Sequence, residues 1–152
     1  MTGNSADTTE EQLNLQSQMA ELARVLPWIE RLGSQFSIPQ STQYGIDLCL
    51  EEALSNIVVH GYRSKPDCPI TVRFASPREG YFVFVIEDEA PLFNTVESPN
   101  LPPIDPLDSK HVGGQGIRLL RRFADKLEYQ ARPNGNRLTI GFSSARSSAA
   151  KD

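Results

Sequence analysis

Residues 81–86 read Tyr-Phe-Val-Phe-Val-Ile, apolar at every position. A short run of β-branched and aromatic residues between Gly80 and the acidic Glu87–Glu89 reads as a strand apolar on both faces, which belongs at the centre of a sheet. Just before it, Ile70, Val72 and Phe74 alternate with Thr71 and Arg73, the pattern of a strand with one wet face. Ser76–Gly80 is then the hairpin turn between the two. Near the end of the chain, Leu127 and Tyr129, a turn at Pro133–Asn134–Gly135, and Leu138, Ile140 and Phe142 form a second hairpin. Leu13 and Leu15 alternate with polar neighbours and suggest a short edge strand.

Between these strands the period changes to that of a helix. Met19, Leu22, Leu26, Ile29 and Leu32 recur every three or four residues, with Pro27 marking a kink or a restart, and Gly33 and Pro39 a stop. Ser41 or Thr42 can cap a second helix whose stripe is Ile46, Cys49, Leu50, Ala53, Leu54 and Ile57, ending at Gly61. Gly113–Gly116 opens a third, with apolar positions Ile117, Leu120, Ala124 and Leu127. The order β-α-α-β-β-loop-α-β-β implies a two-layer α+β sandwich, helices on one face of a mostly antiparallel sheet. Residues 10–143 make one domain, with polar tails at 1–9 and 144–152.

A formal net charge of -4 argues against direct nucleic-acid or membrane-surface binding. Cys49 and Cys68 have no metal-ligand spacing and read as reduced thiols. With no signal-peptide pattern and no run long enough to span a bilayer, a cytoplasmic protein is expected.

Four features could carry chemistry. Glu52 and Asn56 lie one helical turn apart on the margin of the apolar stripe. Asp88 keeps step with Phe82, Phe84 and Ile86, so its carboxylate points to a covered face and needs a partner or a ligand. Gly113-Gly114-Gln115-Gly116 precedes a helix, where free N–H groups attract phosphate, though it is neither a P-loop nor a dinucleotide-binding fingerprint. Thr139 lies on the opposite face of its strand from Leu138 and Ile140. Singly, each has a plainer reading: half-solvated helix residues, a strand-end acid in water, a loop-to-helix turn, a structural threonine. Together they describe one site. An acid meets a base edge, a glycine-rich helix start holds phosphates, and the proline-bearing segment Glu89–Val112 lies between as a lid. The carboxamide of Asn56 can hold a Mg²⁺ that bridges phosphates, and Glu52 can take a proton from an attacking hydroxyl.

Glu52-Ala53-Leu54-Ser55-Asn56 followed by His60-Gly61-Tyr62 resembles the N-box of the anti-sigma-factor serine/threonine kinases of the RsbW/SpoIIAB type, in the GHKL superfamily with the Bergerat ATP-binding fold. Glu87–Asn94, Gly113–Leu120 and Asn136–Ile140 resemble its other boxes, in the same order. The resemblance implies ATP and Mg²⁺ as cofactors, with Glu52 as general base, Asn56 as Mg²⁺ ligand and Asp88 as acceptor for the adenine amino group. It places Gly113, Gly114 and Gly116 around the phosphates, and Ala90, Phe93, Gln115, Ile117 and Thr139 elsewhere in the nucleotide pocket. Relatives dimerise, bind a sigma factor or similar target, and phosphorylate a small STAS-domain antagonist. Two departures stand out: Ala90 replaces a frequent glycine, and Ser109-Lys110-His111-Val112 lacks a frequent arginine, leaving Lys110 or His111 for the γ-phosphate.

The expected function is therefore an ATP-dependent protein serine/threonine kinase acting as a partner-switching anti-sigma regulator. The alternative is a non-catalytic ATP-binding module that sequesters a partner. A sensor histidine kinase fragment ranks behind both, because the chain has no phospho-accepting histidine helix, and a GHKL motor ATPase ranks last, because it has no second domain.

Overall fold

The computed structural model describes residues 10–92 and 120–144. Among these, β1 (Glu10–Gln16), β2 (Pro69–Arg78), β3 (Tyr81–Asp88), β4 (Lys126–Arg132) and β5 (Gly135–Ser143) form one antiparallel sheet. The strand order is β1-β2-β3-β5-β4. The fully apolar run is central, as expected, and Leu13 and Leu15 lie on an edge strand. Helices α1 (Val25–Phe36) and α2 (Gln40–Asn56) cover one face. Strand residues Ile70, Val72, Phe74, Phe82, Phe84 and Ile86 share a single core with Trp28, Ile29, Leu32, Ile46, Leu50 and Leu54 from the helices. Trp28 meets Phe84 edge-on at 5.9 Å and Phe36 meets Phe74 at 4.8 Å, so aromatic contacts tie helix to sheet. The architecture is the α+β sandwich read from the sequence.

Local boundaries differ for identifiable reasons. The first helical segment begins as a 3-10 stretch, Met19–Arg24, and becomes α-helical at Val25, with Pro27 in the first turn. The change of period shifts the buried stripe: Val25 and Trp28 face the core, while Met19 and Leu26 are exposed. Gly33 does not stop α1. It sits within the helix against Gln43, whose Nε2 would lie 2.2 Å from an added Cβ and donates to the Ile38 carbonyl at 2.8 Å. The stop comes at Ser37, in the left-handed region at φ 57°. Neither Ser41 nor Thr42 caps α2; Pro39, extended at φ −59° and ψ 151°, precedes its first residue, and its carbonyl accepts from Gln43 N–H at 2.9 Å.

The turn between β2 and β3 is tighter than Ser76–Gly80: β2 runs on to Arg78 through a register shift after Ala75, and Gly80 takes φ 78°. After a helical turn at 120–123, the Asp125 N–H bonds to the Gly141 carbonyl at 2.7 Å. Leu127 therefore lies in β4 rather than on the helix. The glycine-rich segment, Phe93, Lys110, His111 and most of the expected lid lie outside the described residues.

Candidate functional site

Helix α2 does not end as an ordinary α-helix. From Ile57 to Gly61 it widens into a π turn, in which Tyr62 N–H bonds to the Ile57 carbonyl, five residues back, at 2.7 Å. In a continuing α-helix, His60 would sit about 80° round from Glu52. The wider turn advances less per residue and swings His60 back toward the Glu52–Asn56 side. The chain then leaves through three left-handed residues, Arg63, Ser64 and Asp67. Ser17 pins that loop: its hydroxyl donates to the Lys65 carbonyl at 2.5 Å and accepts from Cys68 N–H at 3.0 Å.

Tyr62 fastens the π turn to the sheet. Its hydroxyl donates to the Pro69 carbonyl at 2.7 Å and accepts from Glu89 N–H at 2.6 Å. Burial, foremost, pushes the phenol up to about 12, so it remains a donor at neutral pH. The turn leaving β3 is thereby held against the end of α2. Within it, Asp88 Oδ1 accepts Ala90 N–H at 2.8 Å and Asn136 Nδ2 at 2.9 Å. Asp88 is 4% exposed, and its burial raises the carboxyl above its ordinary value, against the lowering pull of Asn136, Ala90 N–H and Arg132.

These elements enclose a cleft lined by Ala53, Asn56, Ile57, Gly61, Asp88, Ala90, Leu120, Tyr129, Asn136 and Leu138. Three expected site residues, Asn56, Asp88 and Ala90, thus meet in one place. Glu52 lies one turn back on α2, half-buried. Its Oε2 is shielded from solvent and has no hydrogen-bond partner among the described residues. Burial raises its carboxyl above the ordinary range, and the nearby His60 charge pulls it partly back.

Thr139 is not part of this lining. In β5 it alternates with Leu138 and Ile140, and so faces the other side of the sheet, paired with Val85 and Glu128. The residue of β5 that enters the cleft is Asn136, on the same strand face as Leu138. Sequence reasoning missed Asn136, and also Tyr129 and Gly61 as lining residues. The missed signal was parity: Asn136 keeps step with the core positions Leu138 and Ile140, and a buried polar residue in step with core positions needs a partner.

The cleft has aliphatic walls, a buried carboxylate at the floor and a carboxamide at the α2 edge. The chain belongs to the histidine kinase-like ATPase domain family, whose model matches residues 15–142. It is 28% identical over 120 residues to the serine/threonine-protein kinase BtrW of Bordetella bronchiseptica, covering 79% of this chain and 84% of that one. An anti-sigma F factor of Halalkalibacterium halodurans is 26% identical over 118 residues, 78% of this chain and 79% of that protein. Among solved structures, the histidine kinase domain of a blue-light activated histidine kinase from Erythrobacter litoralis EL346 superposes with a TM-score of 0.54 at 18% identity, over 86% of this chain and 63% of that one. That likeness supports the fold.

Proposed function

We propose that this chain is an ATP-dependent protein serine/threonine kinase that acts as a partner-switching anti-sigma factor, phosphorylating a STAS-domain antagonist. The observation that carries this reading is Glu52: a half-buried carboxylate one turn from Asn56, with a shielded oxygen that has no partner among the described residues. An uncompensated buried carboxyl oxygen is costly to keep for structure alone. A carboxyl raised above its ordinary value by burial is a stronger base than a solvated one, as a general base for a serine or threonine hydroxyl requires. The similarity to BtrW and to anti-sigma F factors supports both the kinase and the anti-sigma part of the proposal.

The donor set fits Mg²⁺-ATP. Asp88 accepts from the adenine amino group, and Asn56 offers one neutral oxygen. That suffices for an ion that takes most of its ligands from phosphate and water, and the described residues hold no group of three or more His, Cys, Asp or Glu ligands. Bound Mg²⁺ would offset the negative charge that gathers on the phosphates during transfer. The chain's own residues do the rest: Asp88 and Ala90 seat the base, Asn56 orients the phosphate end, and Glu52 takes the hydroxyl proton. Gly113, Gly114, Gln115, Gly116 and Ile117 would frame the phosphates, Phe93 would complete the base pocket, and Lys110 or His111 would approach the γ-phosphate. A homodimer and a sigma factor as the second target belong to the same proposal. No described helix is long and apolar enough to cross a membrane.

The test is phosphotransfer from Mg²⁺-ATP to a STAS-domain partner co-purified from the native host. Glu52→Ala is expected to abolish transfer while ATP binding persists. Retained transfer would remove Glu52 as the base. If wild-type protein binds ATP but transfers nothing, and Glu52→Ala leaves cellular function intact, the chain is a sequestering module instead.

A further inference from the structure

Two residues that the proposed chemistry does not use, Tyr129 and Asn136, make a chain of hydrogen bonds in the cleft that ends on Asp88. We propose that they are a positioning pair that locks Asp88 as a hydrogen-bond acceptor and thereby selects nucleotides with an amino group at purine C6 over those with oxygen there. This rests on the reading of the cleft as an ATP site.

The geometry comes from the closing hairpin. Tyr129 is opposite Leu138 in the β4–β5 register and Asn136 is opposite Ala131, so Tyr129 and Asn136 are diagonal neighbours on the helix-facing side. The Tyr129 hydroxyl donates to Asn136 Oδ1 at 2.5 Å. On the other side, Asn136 Nδ2 faces three oxygens: Asp88 Oδ1 at 2.9 Å, the Pro91 carbonyl at 3.2 Å and the Ala90 carbonyl at 3.3 Å. Turning the amide over would set its oxygen against all three and leave the phenol facing an N–H. The three-oxygen end therefore dictates the orientation, and the phenol, donating to Oδ1, is matched to it.

The consequence falls on Asp88. Its Oδ1 is committed to two donors, Ala90 N–H and Asn136 Nδ2. Oδ2 accepts from no described residue and is left to meet the ligand; the two donors on Oδ1 work against the burial that favours the neutral acid, and the ionised carboxylate they support can only accept. A purine amino group satisfies it, whereas a C6 carbonyl would face it oxygen to oxygen. A site that hydrogen-bonds a substrate N–H rejects the analogue lacking it, because its own buried group is then left unpaired. Without Tyr129 the Asn136 amide loses its anchor on β4 and can drift among the three oxygens, and Asp88, its fixed donor weakened, can carry a proton toward a carbonyl.

A purely structural role, clipping the hairpin to residues 90 and 91, would change affinity for every nucleotide alike. The experiment therefore reads a ratio. Full-length wild type, Tyr129→Phe and Asn136→Thr are titrated with Mg²⁺-ATP and with Mg²⁺-ITP, which differs by oxygen for the amino group at C6. Tyr129 is half-exposed on the edge strand, so its loss of one oxygen tests the pair with little risk to folding, and a thermal melt checks both variants. Wild type is expected to prefer ATP, and the ATP-to-ITP preference to fall by roughly tenfold in each variant, the worth of about one hydrogen bond. An unchanged ratio in both variants, even with weaker binding overall, overturns the pair as a selector and leaves the ATP site standing. Equal binding of ATP and ITP by wild type does the same. Binding of neither nucleotide by wild type overturns the ATP site itself.

Discussion

Gly61 faces Ala90 across the cleft with no room to spare for a side chain, and the substitution Gly61→Ala measures how firmly the turn after β3 is held. A Cβ on Gly61 would lie 3.2 Å from the Ala90 Cβ and 3.8 Å from Ile57 Cγ2. Carbon atoms prefer about 3.5–4.0 Å, so the first contact is about half an ångström too close. Neither side can give freely. Ala90 is 3% exposed, its N–H is held by Asp88, and the preceding Glu89 N–H is held by Tyr62. A competing effect runs the other way. Gly61 does not have positive φ, so alanine there is unstrained and would by itself stabilise by about 0.4–1 kcal/mol. Overpacking costs about 1–3 kcal/mol, so the clash is expected to win by about 1 kcal/mol. For a chain of this size that lowers Tm by about 2–4 °C. ATP affinity should fall with it, because the turn that yields carries both N–H groups next to Asp88. In the double variant Gly61→Ala/Ala90→Gly the contact disappears, and both Tm and affinity are expected to recover, with a coupling above about 0.5 kcal/mol. Thermal melts and ATP titrations of the four proteins give the cycle. A Gly61→Ala protein as stable as wild type, or a double variant no better than the single, would refute the reasoning.

Two further predictions concern charge. Glu87 is covered by Arg73 and Arg137, with Arg132 at 4.0 Å; its burial pushes the carboxyl up, but the arginine hydrogen bonds and charges outweigh that and leave it below its ordinary 4.5. A folded-state value below the unfolded one contributes stability above about pH 4.5 that is lost as pH falls through the folded value. Glu87→Gln should therefore cost about 2 kcal/mol near neutral pH and converge with wild type in acid, as denaturant midpoints across pH would show; a constant difference at all pH values would contradict it. His60→Gln removes a positive charge that lowers the Glu52 carboxyl. The acid limb of the pH–rate profile for phosphotransfer should move to higher pH, and an unmoved limb would mean that the π turn does not couple the two residues.

How much of this was legible in the sequence follows from which interactions are local. The strand at Tyr81–Ile86 and the stripe from Ile46 to Leu54 announce themselves because burial repeats with the period of the element that carries it. The helix boundaries were less legible: Gly33 reads as a stop, yet its role is to admit the Gln43 side chain from the next helix. That contact spans ten residues and leaves no periodic trace. The exposed Met19 and Leu26 were misread for a related reason, since a single α period was carried across a 3-10 segment. At the site, Asp88 was legible from parity alone. Thr139 was assigned by resemblance although its own parity pointed away from the cleft, and the register of β5 against β3 and β4 puts Asn136 there instead.

On the proposed reading, that exchange divides the work of the cleft. On the sheet side, selectivity falls to residues fixed by backbone register: Asp88 at the end of β3, opposite Asn136 in β5, with Tyr129 one diagonal step away. Such positions move little, because shifting any one of them would slip a strand and turn its core residues outward. On the helix side, Glu52 and Asn56 ride on the last turns of α2, whereas His60 depends on the π turn and on the loop with three left-handed residues that follows, a backbone that is costlier to hold. On this reading, base recognition rests on strand register, and proton transfer on Glu52 in α2, with His60 brought to it by the π turn. Substitutions at Tyr129 and Asn136 should alter which nucleotide binds, whereas substitutions at Glu52 and His60 should alter what is done with it. The Tyr129→Phe and Glu52→Ala proteins separate those two outcomes on one ATP titration and one transfer assay.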